Sequence, residues 1–408
     1  MTWRVFLPFV AGYYVSYAFR SINALLGPEI AAEFSLGAAE LGLLTSVYFL
    51  AFALLQIPFG VLLDRYGPRR VDAGLLVIAA TGALAYALAS SFAGLVAGRV
   101  LIGAGVAVAL MASFQAFVLW YPMERIATMN SRAFAVGILG AITVTVPLEA
   151  ALRFADWRSV MMGFAVLALA ASAFIFFVVP ERERERSRAS LGDTLGAIRV
   201  LIADPALRRV AVMASTTQSA VVALSTLWIA TWLRDVAGYD RAGVGQALLV
   251  VNLALIAGFL VFGRLADERV RLGASTLPIV AGGSALAALC LGLLVLGVVK
   301  GALALWAAFT FFGTAATLGY SMLSRRFPKG LAGRVNTTLN TFIFTGMFLA
   351  QWAVGLVLER WPRSNGGYAP EAYSWALGIL WAAQLAGLAW FWSGRGLLAS
   401  KNPVDRAA

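Results

Sequence analysis

The chain has 408 residues, of which 61% are hydrophobic and only 13% charged, with a formal net charge of +12. A soluble domain carries about 25% charged residues, so this composition excludes a water-soluble fold and makes the bilayer the solvent. With no histidine and a single cysteine, Cys290 in an apolar run, the chain has no His-based triad, no His metal ligand and no intramolecular disulfide, and it offers no thiol metal cluster.

A spanning helix needs about 20 mostly apolar residues. In chain order, twelve runs qualify: 4–27, 39–63, 72–91, 93–120, 130–152, 158–179, 209–234, 243–265, 275–298, 301–324, 334–359 and 371–394. The first has no small-residue cleavage site and belongs to a long series, so it reads as a retained membrane helix, not a signal peptide. The longest polar connection, 180–208, opens PERERERSR and divides the runs six and six. Its alternating charges read as a solvated linker, with a short surface helix expected over 191–203, capped by Ser190. The expected architecture is an all-α membrane protein, twelve transmembrane helices in two pseudo-symmetric six-helix bundles. Residues 1–180 form the first bundle, 181–208 a cytoplasmic linker and 209–408 the second bundle.

An even helix number puts both termini on one side. On that side fall 23 of the 32 Lys and Arg, against 7 on the other, which makes it the cytoplasm. The basic residues therefore report membrane topology, and nucleic acid is not an expected partner.

The two halves match. Gly60–Arg70 reads GVLLDRYGPRR, and a worn copy, GRLADERVRLG, starts 203 residues later at Gly263. Asp64 and Asp267 keep that offset, as do Gly42 and Gly245. Tyr121-Pro122 and Asn130 recur as Phe327-Pro328 and Asn336, both 206 residues on. Matched halves in an apolar chain point to a transporter that rocks one half against the other around a central site. Within the loop, Gly60 removes a side chain where two helices can pack closely. Asp64 is placed to accept from the amides of a helix start, where the dipole favours an anion. Gly333 and Arg334 offer such a start. Arg65, Arg69 and Arg70 serve the same contact or simply set topology.

Arg20 lies 16 positions after Arg4, about 24 Å along the first helix, and so within the hydrocarbon or near its outer half. A cation there serves a pathway, a partner or a substrate, and its planar fork matches a carboxylate or phosphate. Tyr13, Ser16, Tyr17 and Asn23 share its face by their spacing, a stripe that suits the wall of a wet cavity. Two readings of Arg20 stay open: it clamps an anionic substrate, or it pairs with Glu149 of the fifth helix. Glu149 is in turn a proton carrier or an interfacial acid near Arg153. Arg99, inside the fourth apolar run, serves a role within the membrane or snorkels to the interface. In the second half Gln218, Asn252, Asn336, Asn340 and Gln351 offer amides to a cavity or hold helices together. Trp228, Thr314 and Tyr320 would add cavity surface.

Gly60, Leu62, Asp64, Arg65, Gly67, Arg69 and Arg70 resemble the signature loop of the major facilitator superfamily, Gly-x-Leu-x-Asp-Arg-x-Gly-Arg-Lys/Arg. The resemblance implies that Gly60, Asp64, Arg65, Gly67 and Arg69, with Asp267 in the second copy, form a cytoplasmic gate. Arg99, Gly103 and Gly105 resemble that family's Arg-x-x-x-Gly-x-Gly, which implies a proton-coupling role for Arg99. Gly12, Tyr13, Tyr17 and Arg20 resemble the first helix of its anion:cation symporter branch, which implies that Arg20 holds an organic anion. Phe19 stands where several members of that branch carry an acid, and the branch's asparagine is displaced to Asn23. The antiporter signature is absent from the fifth helix.

The expected function is secondary active transport of a small organic anion, a carboxylate, across a bacterial-type inner membrane, coupled to protons. An exporter of amphipathic drugs or metabolites and a non-transporting scaffold or sensor are the alternatives. No G-x-x-x-x-G-K-[ST] phosphate loop is present, and no enzyme activity, cofactor or metal is expected. The expected partners are the anion, protons and lipid, with the chain a monomer.

Overall fold

The computed structural model describes residues 3–181, 191–327, 331–362 and 367–399. Ser190, Pro328 and the charged stretch 182–189 lie outside the described residues. The secondary structure is helical, as a bilayer requires, because only a helix satisfies its own backbone within one segment. Eleven helical segments among the described residues are long and apolar enough to cross a membrane, and they match the second to twelfth expected runs. The first expected run differs in kind. Its helix α1 (Trp3–Ser21) carries two arginines and three tyrosines, and it turns at Ile22 into a separate α2 (Asn23–Glu33). Polar side chains and a backbone break therefore coincide in this one segment.

The chain divides into two compact units, Met1–Leu191 and Gly192–Ala408. In the first, α3 (Ala38–Tyr66) and α4 (Pro68–Ala87) meet at Gly67, whose φ of 87° only glycine adopts without strain. The fourth run is split into α5 (Phe92–Val106) and α6 (Ala109–Trp120), and the fifth into α7 (Met123–Thr143) and α8 (Val146–Ala151). Helix α9 (Trp157–Val178) closes the unit. Helix α4 packs between α5 and α9. Glycine permits its approach to α5: a Cβ at Gly98 would sit 2.7 Å from the Tyr86 nitrogen, and one at Gly105 only 2.2 Å from the Ala79 nitrogen. Close backbone approach replaces the hydrophobic drive that lipid removes. The glycines of the Arg99–Gly105 motif thus have a packing reason of their own.

The second unit runs through α10 (Leu191–Ala203), α11 (Pro205–Ala223), a π-turn at Leu224–Trp228 and α12 (Ile229–Asp235). It continues with α13 (Arg241–Arg271), α14 (Leu277–Val295), α15 (Ala302–Gly313), a 3-10 turn at Thr314–Leu318 and α16 (Gly319–Arg326). Helices α17 (Ala332–Leu358), α18 (Pro370–Ser393) and the short α19 (Arg395–Ala399) complete it. The helix distortions repeat between units. Ile22 plus 203 falls in the π-turn, and Val108 plus 206 is Thr314, the first residue of the 3-10 turn. At one end of this unit Asp235 ties down the chain before α18. Its carboxylate accepts from Arg234 Nε at 2.7 Å, the Tyr368 amide at 3.1 Å and the Tyr373 hydroxyl at 2.9 Å.

Gly105→Ala is expected to lower stability by about 2 kcal/mol through overpacking against α4. Gly60→Ala, where an added Cβ meets nothing within 4 Å, is expected to leave it unchanged. Thermal unfolding in detergent reads both. By the same measurement, Asp235→Asn is expected to cost about 2 kcal/mol, the worth of charge-assisted hydrogen bonds.

Candidate functional site

The first unit concentrates its buried polar chemistry where α1 ends. The Phe19 carbonyl, one of the orphans at the end of α1, accepts from Arg99 Nη1 at 2.8 Å. Arg99 is fully buried and stacks on Tyr48 with its Cζ 4.9 Å from the ring centroid, while its Nε and Nη2 have no hydrogen-bond partner. A snorkelling position is thereby ruled out: the guanidinium points into the bundle. Tyr48 donates to the Ser16 carbonyl at 3.1 Å, so one aromatic ring braces both α1 and Arg99.

Arg20 lies on the other side of this cluster. Its guanidinium carbon sits 4.6 Å from the Tyr17 centroid and 5.8 Å from that of Phe52, within cation–π range. Tyr48 packs on Phe52 at 4.9 Å and Tyr13 meets Tyr17 edge-on at 5.1 Å. Arg20 and Tyr17 are half-buried, whereas Tyr13, Ser16 and Asn23 are buried. Ser16 donates to the Val106 carbonyl at 3.3 Å, and the Asn23 amide donates to Thr45 at 3.2 Å. The polar stripe therefore divides by depth. Tyr17 and Arg20 keep part of their surface exposed, and the other three hold α1 and α2 against their neighbours.

Glu149 is buried on α8, and both its oxygens accept from Arg153, at 3.3 and 3.1 Å. The described ion pair of this acid is thus with Arg153 one turn on, not with Arg20.

In the signature loop, Asp64 accepts from Gln115 at 2.9 Å. Arg69 donates twice to the Phe176 carbonyl and, with Arg70, pairs with Glu181. Arg65 lies over Tyr66. Arg65, Arg69, Arg70 and Glu181 rim a cavity of about 620 Å³ whose walls include Phe9 and Trp120. The close packing expected at Gly60 is not used, since an added Cβ there meets nothing within 4 Å. The second copy differs from the first. Val270 stands where Gly67 does, and α13 runs on to Arg271 and turns at Gly273, with φ 68°. Asp267 is exposed on that continuous helix.

In the second unit Gln218 is half-buried, with Nε2 lacking a partner, and Asn340 accepts from the Tyr320 hydroxyl. Asn336 accepts from Ser324 at 3.0 Å. Asn252 bonds back to its own helix at the Leu248 carbonyl. Gln351 and Trp228 serve the π-turn: Thr226 donates to the Gln351 side chain and Trp228 Nε1 to its carbonyl, at 3.3 and 3.0 Å. Thr314 bonds to the Phe311 carbonyl. Trp228, Thr314 and Gln351 are accordingly interior supports.

One charged group has no counterpart in the sequence reading. Asp72 is fully buried on α4, and neither carboxyl oxygen has a hydrogen-bond partner. The sequence signal was slight. Asp72 follows Pro68-Arg69-Arg70 closely and reads as the first residue of a span, but α4 begins at Pro68 and carries it a full turn inward.

A family model for the Major Facilitator Superfamily matches residues 9–351. A probable sulfoacetate transporter from Cupriavidus necator is 28% identical over 44% of this chain and 41% of its own length. The Escherichia coli inner membrane transport protein YajR is 31% identical over 42% of this chain and 38% of its own. A nitrate/nitrite transporter from Picosynechococcus is 27% identical over 37% and 34%, so the match spans about two-fifths or less of each of these relatives. Among solved structures, an inward-facing bacterial homologue of the lysosomal transporter Spinster aligns with TM-score 0.71 at 17% identity, covering 96% of each chain. A D-xylose-proton symporter aligns with TM-score 0.72 at 17% identity, covering 95% of this chain and 97% of its own. At that identity the likeness is one of fold. A helical, multi-pass fold in two units, the signature loop and a family match over most of the chain converge: this protein belongs to the major facilitator superfamily of membrane transporters.

Proposed function

We propose that the protein is a secondary active transporter of a small organic anion, a carboxylate, moved across the inner membrane by alternating access and coupled to protons. The observation that carries this reading is Arg20, half-buried at the end of α1 with its guanidinium held against Tyr17 and Phe52. A cation on a membrane helix is costly to keep, and a planar fork on an aromatic shelf suits a carboxylate. The relatives named for sulfoacetate and for nitrate and nitrite support an anion as cargo. The xylose-proton symporter's fold is compatible with proton coupling.

Each residue then has a role. Arg20 clamps the anion and Tyr17 offers its phenol, with Tyr13, Ser16 and Asn23 fixing the helix end that carries them. Gln218 and Asn340 supply neutral polar groups from the second bundle. Glu149 carries a proton, released or taken as its pairing with Arg153 changes, and Arg99 couples the α1 break to that cycle. Gly60, Asp64, Arg65, Gly67, Arg69 and Asp267 form the gate on the side of both termini, the cytoplasm. The working unit is a monomer in the bilayer.

Arg20→Ala is expected to weaken carboxylate binding roughly a hundredfold, as truncating one partner of a buried charge pair does, with folding intact. Ligand-induced thermal stabilisation across a panel of carboxylates, phosphates, sugars and cationic drugs reads this. Stabilisation by a carboxylate that persists in the variant rules out the clamp. Glu149→Gln is expected to keep substrate-for-substrate exchange and lose acid-stimulated net uptake. A full pH response in proteoliposomes removes Glu149 as the coupling acid.

A further inference from the structure

We propose that Asp72 is a proton-binding site of the first bundle, reached from the arginine-rimmed cavity one helical turn away. This deepens the proton-coupled reading above and rests on it for its role in transport, though not for proton binding itself.

The placement is specific. Asp72 is fully buried, and no hydrogen-bond donor reaches either oxygen. A negative charge sealed in this way would lack both hydrogen bonds and a counter-ion, one of the costliest arrangements a protein interior can hold. A proton on the carboxyl removes the charge. Gly12 on α1 keeps the space clear: a Cβ there would lie 3.5 Å from Asp72 Oδ2, 3.2 Å from Leu76 and 3.3 Å from Ile175. The glycine of the α1 motif thus faces a carboxyl, not another helix backbone.

The charged and titratable groups around it are engaged elsewhere. Helices α3, α5, α6 and α9 pack against α4, and α1 approaches it at Gly12. From α9 comes Ser172, whose hydroxyl donates to the neighbouring Ala73 carbonyl at 2.7 Å. From α1, Tyr13 turns toward Tyr17 and Phe134. From α5, Arg99 is committed to Phe19 and Tyr48. From the end of α3, Arg65 lies over Tyr66, and Tyr121 after α6 packs on Phe117. On α4 itself Arg69 and Arg70 turn to Phe176 and Glu181. Among the described residues neither oxygen of the Asp72 carboxyl has a hydrogen-bond partner.

The cavity also offers a route. The cavity is lined by Phe9 and Pro68. Gly12 lies three residues beyond Phe9, and Asp72 four beyond Pro68, about 6 Å along its helix. Movement of the Phe9 ring or of α1 against α4 would connect the cavity to the carboxyl, while Arg69 and Arg70 at the rim keep other cations away from it.

The test uses the full-length protein in detergent and in proteoliposomes. Dicyclohexylcarbodiimide enters apolar sites and modifies carboxyls that carry a proton, and peptide mass spectrometry locates the adduct. The expected result is an adduct on Asp72 at acidic pH that diminishes as pH rises, together with a changed pH profile of net uptake in Asp72→Asn. A missing or pH-independent adduct overturns the proposal, and so does an unchanged pH profile in a folded Asp72→Asn protein. If that variant does not fold, labelling of the unmodified chain decides by the same criterion. Labelling needs no substrate, so failure of the carboxylate reading leaves this result standing.

Discussion

Everything at the centre of the first bundle depends on how the break in its first helix is held. A bilayer offers no water to a freed carbonyl, so a broken membrane helix survives only where protein groups satisfy it. Here a guanidinium from another helix does so, Arg99 donating to the Phe19 carbonyl. The π-turn of the second unit is tied to its neighbour by neutral groups, Trp228 and Thr226 donating to Gln351 of α17.

The two arginines near Tyr48 illustrate how position divides labour among identical side chains. Arg99 is consumed by structure, with a carbonyl on one nitrogen and an aromatic face beneath it. Arg20 rests on Tyr17 and Phe52 and keeps part of its surface open. Losing Arg99 would free a buried carbonyl, whereas Arg20 keeps part of its surface exposed. Acids divide in the same way. Glu149 has a cation one turn away, and Asp72 lies beside Gly12 with no hydrogen-bond partner on either oxygen.

The repeated loop shows how one residue redirects a helix. In the first copy Gly67 adopts a positive φ and ends α3. In the second copy Val270 occupies that place; a β-branched residue does not tolerate such a φ, and α13 continues until Gly273 supplies the turn. Asp64 therefore sits beside a turn and a basic cavity, while Asp267 sits on an uninterrupted helix. The halves share a plan without sharing the chemistry of the loop.

The sequence by itself determined the membrane class, the existence and approximate position of eleven spans and the half-length repeat, because hydropathy and glycine placement are local properties of the chain. It also marked Arg20, since a cation in an apolar run is conspicuous wherever it points. It did not determine which polar residues are open and which are spent. Tyr13, Ser16 and Asn23 share the spacing of Arg20, yet they bury themselves against α7, α5 and α3 respectively, because α1 and α2 have neighbours on that side that no single-helix pattern records. The partner of Glu149, the carbonyl that Arg99 serves and the isolation of Asp72 all depend on contacts between helices distant in sequence. Those contacts were decided only by the tertiary structure, for the physical reason that the cost of a buried charge depends on what surrounds it in space.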